Sequence, residues 1–293
     1  MKAVVTGGVG FIGHHLVNLL IDSGYDVEVW DNLSTGDISR LNVNATFKQI
    51  DLSVDDLPKL KCDVVVHLAA TTSVQESIEN PSKYKQHCFI ATKRLLEWSL
   101  EVGVSKFLIS STAAVYGNPN SFPVTESDEL SPMSPYAEWK LESEKLMKQY
   151  SDKIQCSVLR LFNVFGEGQP NSGSYAPAVA LFMKQFKSGN PITVTGDGLQ
   201  TRDYIYVGDV VTAFLKAIEN QKSNYEIMNV GTGVELTILE IAKCVSPTGE
   251  IKHIEPRVEP RRSVANVTKI FNLLSWEYKT DVLSWILSKN FVY

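Results

Sequence analysis

Short apolar runs alternating with amphipathic stretches pattern the first part of the chain. KAVVT (2–6), DVEVW (26–30), TFKQI (46–50), DVVVH (63–67), KFLIS (106–110) and QCSVLRL (155–161) have the side chains of strands. Residues 11–22, roughly 82–101 and 135–150 carry helical patterns, and Gly24 and Gly103 are placed to stop the first two. Strands alternating with helices predict an α/β fold: a parallel sheet with helices on both faces.

After about residue 165 the texture changes. GEGQPNSGSYAP is a polar connection rich in Gly and Pro. A helix near 176–188, the short run PITVTGDG, a helix near 209–219, a strand YEIMNVG (225–231) and a mixed tail follow. This part is too short to be an independent enzyme. The expected division is residues 1–165 as one domain and 166–293 as a smaller α/β domain, with segments of about 203–231 returning to the first.

Composition narrows the classes. The 293 residues are 44% hydrophobic and 21% charged, ordinary for a globular protein that buries a sizeable core. A net charge of −5 argues against a general nucleic-acid binder and gives no membrane-surface footprint. Cys62, Cys88, Cys156 and Cys244 lie far apart without a CxxC pair, and the five histidines form no metal-binding cluster. The expectation is reduced thiols, no metal and a cytoplasmic chain. Met1 runs straight into KAVVTGG, and no apolar run has membrane-spanning length, so no leader and no membrane are expected.

The first turn carries candidate chemistry. TGGVGFIG (6–13) joins the first strand to the first helix, with Gly7, Gly10 and Gly13 three apart. Glycine there permits a tight turn, close approach of backbone N–H groups to a pyrophosphate, and tight helix–strand packing. Phe11, Ile12 and Gly13 open the helix, whose N-terminus favours an anion. An ordinary strand–helix turn can also hold such glycines, but the strand–turn–helix context favours a Rossmann-type, doubly wound dinucleotide site. Asp31 ends the second strand eighteen residues past Gly13. Its carboxylate suits ribose hydroxyls and repels a 2′-phosphate, so NAD is expected over NADP. Asn32 belongs to the same cofactor set. Asp51 and Leu52 close the third strand toward the adenine, and Leu68, Ala69 and Ala70 of HLAA close the fourth.

A second group lies further on. SSTAAVYG (110–117) ends the fifth strand in three hydroxyls. Tyr136 and Lys140, in SPYAEWKLESE, share one face of a helix at i and i+4. A phenol with an ordinary pKa near 10 is a poor base at neutral pH, and a neighbouring ammonium stabilises its phenolate. An isolated Y-x-x-x-K is more often an ordinary surface pair.

In order along the chain, TGGVGFIG, HLAA, SSTAAVYG, SPYAEWK, RLFNVFG, GDGLQTRDYIYVGDV and WEYKT resemble the extended short-chain dehydrogenase/reductases. This is the NAD-dependent epimerase/dehydratase family, and the chain is most similar in it to the UDP-glucose 4-epimerases. The likeness runs through nearly the whole chain. It implies Tyr136 as acid/base, Lys140 as its electrostatic partner and a ligand of the nicotinamide ribose, and Thr112 as the hydroxyl on the reacting sugar oxygen. Asn163 and Arg202 would hold the nucleotide-sugar diphosphate, and Ala178 and Val179 complete that substrate-binding set. Arg202 beside Asp203 also allows a simple neighbouring ion pair. Arg257 and Glu259 match a second diphosphate motif that lacks its usual glycine, so Arg261 or Arg262 stands as a substitute for Arg257. Cys88 occupies a place where relatives commonly carry asparagine. The family also implies a homodimer through the helices at 82–101 and 135–150.

The two positions after Thr112 bear on the reaction. Dehydratases of this kind carry an acidic pair there and decarboxylases usually a glutamate; here they are Ala113 and Ala114, which cannot transfer protons. The resemblance therefore implies a UDP-sugar 4-epimerase. NAD oxidises C4, the 4-keto sugar rotates, and the hydride returns to the other face. Ser263 aligns with a position where a bulky tyrosine restricts relatives to plain hexoses, so a small side chain leaves room for an N-acetyl group. Alternatives are a UDP-glucuronate 4-epimerase, another nucleotide-sugar oxidoreductase, and a non-catalytic NAD-binding regulator.

Overall fold

The computed structural model describes residues 1–171, 176–222, 224–256 and 259–289. The expected runs become β1 (Lys2–Thr6), β2 (Asp26–Asp31), β3 (Thr46–Gln49), β4 (Val64–His67), β5 (Lys106–Thr112) and β6 (Gln155–Leu161). The helices of this part are α1 (Phe11–Asp22), α2 (Val74–Glu79), α3 (Pro81–Tyr84), α4 (Ala91–Val102) and α5 (Pro135–Tyr150). Further on come β7 (Asn163–Phe165), α6 (Ala178–Lys187), β8 (Ile192–Thr195), β9 (Thr201–Tyr206), α7 (Val207–Glu219) and β10 (Tyr225–Val230). The last elements are β11 (Glu235–Thr237), α8 (Ile238–Val245), β12 (Ile251–Ile254), α9 (Thr268–Leu274) and α10 (Val282–Ser288).

Seven strands form one parallel sheet in the order β3-β2-β1-β4-β5-β6-β10. Strand alternation feeds two cores. Ala3 and Val5 of β1, Val64 and Val66 of β4 and Leu108 of β5 face the layer of α1 and α7. Val4, Val65, Phe107 and Ile109 face the opposite layer, where Trp30 meets Trp98 edge-on beneath α4 and α5. Each such Val, Leu, Ile or Phe side chain contributes about 1.5–3 kcal/mol on burial. The chain leaves β1 in one direction and β4 in the other, which opens a crevice at their carboxyl ends.

Two expected elements differ. The single helix over 82–101 is instead α3, a π-helical turn over Lys85–Ile90, and α4, stopped by Gly103 at φ +79°. The wider turn leaves the Cys88 carbonyl to the hydroxyls of Thr92 and Ser143, a side-chain exchange that helical periodicity does not encode. Helix α7 also starts earlier than the expected 209, at Val207, directly from β9.

Beyond β6, strands β11, β9 and β7 make a three-stranded sheet, and β8 pairs with β12. Phe165, Phe182, Val194 and Ile241 pack with these elements into a separate cluster. Asp203, fully buried, ties this region together. Its carboxylate accepts from the backbone N–H groups of Thr232, Gly233 and Ala265 and from the Thr232 hydroxyl. Arg202 pairs with Glu259 and not with this neighbour.

Candidate active site

The glycine turn is shaped by contact. Gly7 sits at φ +68°, and a Cβ there would lie 2.7 Å from the Ala69 nitrogen. A Cβ on Gly13 would lie 2.0 Å from the Gly7 oxygen, so only hydrogen lets α1 dock on β1. Helix α1 opens after Gly10 with no side-chain cap. The N–H groups of Phe11, Ile12 and Gly13 therefore belong to a helix start open to an anion.

Asp31 is buried beside this turn and accepts from the N–H groups of Leu33 at 2.9 Å and Val9 at 3.4 Å. Burial pushes its pKa up, against those two bonds. Asn32 donates to Asp51 at 3.2 Å. Burial raises the Asp51 pKa, but bonds from Ser53 and Asn32 outweigh it and hold the carboxyl below its usual range. Leu52 is buried and Leu68, Ala69 and Ala70 are half-buried at the carboxyl edge of the sheet.

A chain of hydrogen bonds runs behind HLAA. Thr92 gives its proton to the Cys88 carbonyl, so at 3.0 Å it accepts from Nε2 of His67. Nδ1 of His67 then accepts from Thr6 at 2.7 Å, and the Thr6 oxygen takes the Ala69 N–H at 3.3 Å. The ring is buried, and burial, then the Lys140 charge, lowers its pKa to about 3.

Strand β5 distributes its terminal hydroxyls by alternation. The Ser110 carbonyl accepts from Lys140 Nζ at 2.9 Å. The Ser111 hydroxyl, on the α5 side of the sheet with Phe107 and Ile109, donates to Glu144. Thr112 caps the turn over Ala113–Tyr116 by accepting from the Ala114 N–H at 3.2 Å, and its hydroxyl stands near enough to the Tyr136 phenol to act on its pKa. Tyr136 is 9% exposed and meets Tyr84 edge-on, with Cys88 in the same cluster. Burial raises the Tyr136 pKa, as do Cys88 and Tyr84, while Thr112 opposes them. Burial lowers the Lys140 pKa, against the pull of Cys88 and Glu144. Beneath them Arg160 forks onto Glu144 with a 2.7 Å contact, both side chains buried, and also reaches the Tyr116 hydroxyl at 2.9 Å.

A second locus is a cavity of about 340 Å³. Asn163, Ala178, Val179, Arg202 and Glu259 all line it, whereas Thr112, Tyr136 and Lys140 do not. Arg202 Nη2 lies 2.7 Å from Glu259 Oε2. Ser263 is not among the lining residues: its carbonyl accepts from the Asp203 N–H, which draws residue 263 alongside β9. Arg261 and Arg262, considered as substitutes, are exposed and forked onto Asp197 and Glu235. Arg257 lies outside the described residues.

Sequence reasoning missed three side chains here. Of the four buried side-chain polar atoms with no partner among the described residues, Gln169 Oε1, Gln200 Oε1 and the Tyr204 hydroxyl line this cavity. Gln200, Arg202 and Tyr204 are two apart, so strand alternation from Arg202 points to both neighbours. The fourth is Thr71 Oγ1, just past HLAA.

Comparison with known proteins is decisive. The model of the NAD dependent epimerase/dehydratase family matches residues 3–231. The chain belongs to this family. It is an NAD-dependent enzyme. A UDP-glucose 4-epimerase of Mycolicibacterium smegmatis is 35% identical over 295 residues, covering 94% of this chain and 93% of that one. Among solved structures, a UDP-N-acetylglucosamine 4-epimerase from Methanobrevibacter ruminantium, in complex with UDP-N-acetylmuramic acid, superposes with a TM-score of 0.91. It is 32% identical and covers 99% of each chain. The Thermus thermophilus UDP-glucose 4-epimerase in complex with NAD gives a TM-score of 0.89 at 32% identity, covering 98% of this chain and 96% of that one. The residues present fit the family's cofactor: the glycine cradle leaves no room for a Cβ, the helix start is uncapped, and Thr71 Oγ1 lacks a partner.

Proposed function

We propose that the protein is a UDP-sugar 4-epimerase, acting on UDP-glucose and UDP-galactose and with room for their N-acetylated counterparts. The observation that carries this reading is the Thr112, Tyr136 and Lys140 cluster followed by Ala113 and Ala114. It holds one proton-transfer group at a sugar hydroxyl and none of the acids that elimination or decarboxylation needs. The names of the relatives at similar length support it.

In this reading Gly7, Gly10, Phe11, Ile12, Gly13, Asp31, Asn32, Asp51, Leu52, Leu68, Ala69 and Ala70 hold NAD, with Tyr136 and Lys140 at its nicotinamide end. Bound NAD supplies the acceptor, and afterwards the donor, of the C4 hydride. Tyr136 takes the C4 hydroxyl proton and returns it after the sugar turns over, while Thr112 fixes that hydroxyl. Burial, with Cys88 and Tyr84, makes the phenol a weaker acid; in this reading the Lys140 ammonium, one helical turn away and anchored by the Ser110 carbonyl, is the charge that stabilises the phenolate. Asn163 and Arg202 take the diphosphate, an arginine fork being matched to phosphate oxygens. Glu259 orients Arg202, and Ala178 and Val179 wall the nucleotide. Arg257 is proposed as a second diphosphate contact.

We further infer a division into 1–165 for cofactor and 166–293 for substrate, with segments of about 203–231, α7 and β10 among them, returning to the first, and a cytoplasmic homodimer. Purified protein given UDP-galactose without added NAD should yield the C4 epimer, read by NMR of the sugar protons. Failure on every UDP-hexose overturns the reading. The small side chain of Ser263, where relatives restricted to plain hexoses carry tyrosine, predicts that UDP-N-acetylgalactosamine turns over as well; strict exclusion of it removes that part.

A further inference from the structure

Resting on the nucleotide-sugar reading, we propose that Glu167 is a positioning residue: its carboxylate fastens the α10 region to the loop that carries one wall of the cavity, and nucleotide affinity depends on that tie. Asn163, Val164, Phe165 and Gln169 line the cavity, and Glu167 lies within this stretch without lining it. Glycine stands on either side of it, Gly166 at φ +144° and Gly168 at φ +77°. Two such residues leave the backbone little preference of its own, so contacts with other elements set where the loop lies.

Those contacts come from two sides. On the cofactor side, His15 of α1 donates from Nε2 to the Glu167 carbonyl at 2.9 Å, and a Cβ on Gly168 would lie 3.0 Å from the His14 ring. On the other side the Glu167 carboxylate takes three donors. Oε2 accepts from the Tyr206 hydroxyl at 2.9 Å. Oε1 accepts from Trp285 Nε1 at 3.2 Å and from Lys289 Nζ, just past α10. The two aromatic donors also pack on Phe165, Trp285 edge-on with ring centroids 5.3 Å apart and Tyr206 at 5.7 Å. One carboxylate thereby holds the end of β9, α10 and the wall residue Phe165 in a single arrangement. Burial pushes its pKa up, but bonds from Lys289, the backbone and Tyr206 outweigh it and hold the carboxyl at about 2, so it is charged at neutral pH. The Lys289 and Glu167 side chains remain 35% and 44% exposed, so losing their ion pair costs the fold little. The tie therefore acts on where the wall stands, and not on whether the chain folds.

The test is titration calorimetry of the NAD-loaded protein with UDP, together with kcat at saturating UDP-galactose. Glu167→Ala should weaken UDP binding about fivefold and leave kcat within about twofold of wild type, with the urea midpoint nearly unmoved. Glu167→Gln keeps an acceptor oxygen for an aromatic donor but no charge for Lys289, and should fall between the two. Lys289→Ala should weaken binding in the same direction, and should add nothing to Glu167→Ala, because both remove the same tie. Unchanged UDP affinity in Glu167→Ala overturns the proposal, as do additive effects of the two substitutions or a loss confined to kcat. If Glu167→Ala does not fold, unchanged affinity in both Glu167→Gln and Lys289→Ala overturns it likewise. Absence of UDP binding by the NAD-loaded wild type instead overturns the nucleotide-sugar reading, and the proposal with it.

Discussion

His67 closes β4 with both ring nitrogens bonded and its pKa lowered to about 3. The unfolded chain takes up a proton below the ordinary value of 6.5, and the folded chain does not until far lower pH. Stability therefore rises with pH between about 3 and 6.5 and falls on acidification. Between about pH 7 and pH 5 this side chain should remove about 2 kcal/mol. Urea unfolding of wild type against His67→Gln should show that loss in wild type and a flatter profile in the variant. Equal slopes would contradict it. At the same scale, Tyr136→Phe removes the proposed acid/base and nothing that packs. Turnover should fall by about 100- to 10,000-fold, while the NAD content of purified protein, read by its absorbance after release, stays the same. The placement of the glycines, Tyr136 and Lys140 was legible in the sequence because it is tied to spacing within one turn or helix. The partners of His67 were not, since Thr6 and Thr92 come from β1 and α4.

Among the elements, the junction of β1 and α1 is the least tolerant. A methyl group on Gly13 would lie 2.0 Å from a backbone oxygen that cannot rotate away. Gly13→Ala should therefore push α1 off the sheet and lose most bound NAD, together with about 1–3 kcal/mol of stability. Co-purified NAD and the urea midpoint report both effects, and retention of full NAD content would refute the steric account. The α3–α4 run shows the opposite case. Its apolar spacing predicted one helix over 82–101, but the π turn at Lys85–Ile90 directs the Cys88 carbonyl to Thr92 and to Ser143 of α5. That turn links the His67 chain to the helix carrying Tyr136 and Lys140. The extra residue costs nothing in hydrophobic pattern, so the sequence gives no signal for it.

Across the whole molecule, the buried Glu144–Arg160 pair joins α5, β6 and, through Ser111, the end of β5. Arg160 also touches Tyr116, which bonds Asn229 of β10 at 2.7 Å. Removing one partner leaves a charge stranded away from water. Glu144→Gln should cost about 3–5 kcal/mol in urea unfolding, and a Glu144→Leu/Arg160→Met double variant less than that. A double variant at least as unstable as the single one would contradict this. The sequence by itself determined the alternating strands and helices, the glycine turn, Asp31, and the Tyr136–Lys140 pair, because each depends on neighbours within a few residues or on a period of two or 3.6. Only the tertiary structure decided that β10 pairs with β6, that Arg202 meets Glu259 and not Asp203, that Ser263 stays off the cavity lining, and that Gln200 and Tyr204 face it unpartnered. Those outcomes depend on which distant segments exclude water from one another, and spacing along the chain carries no record of that.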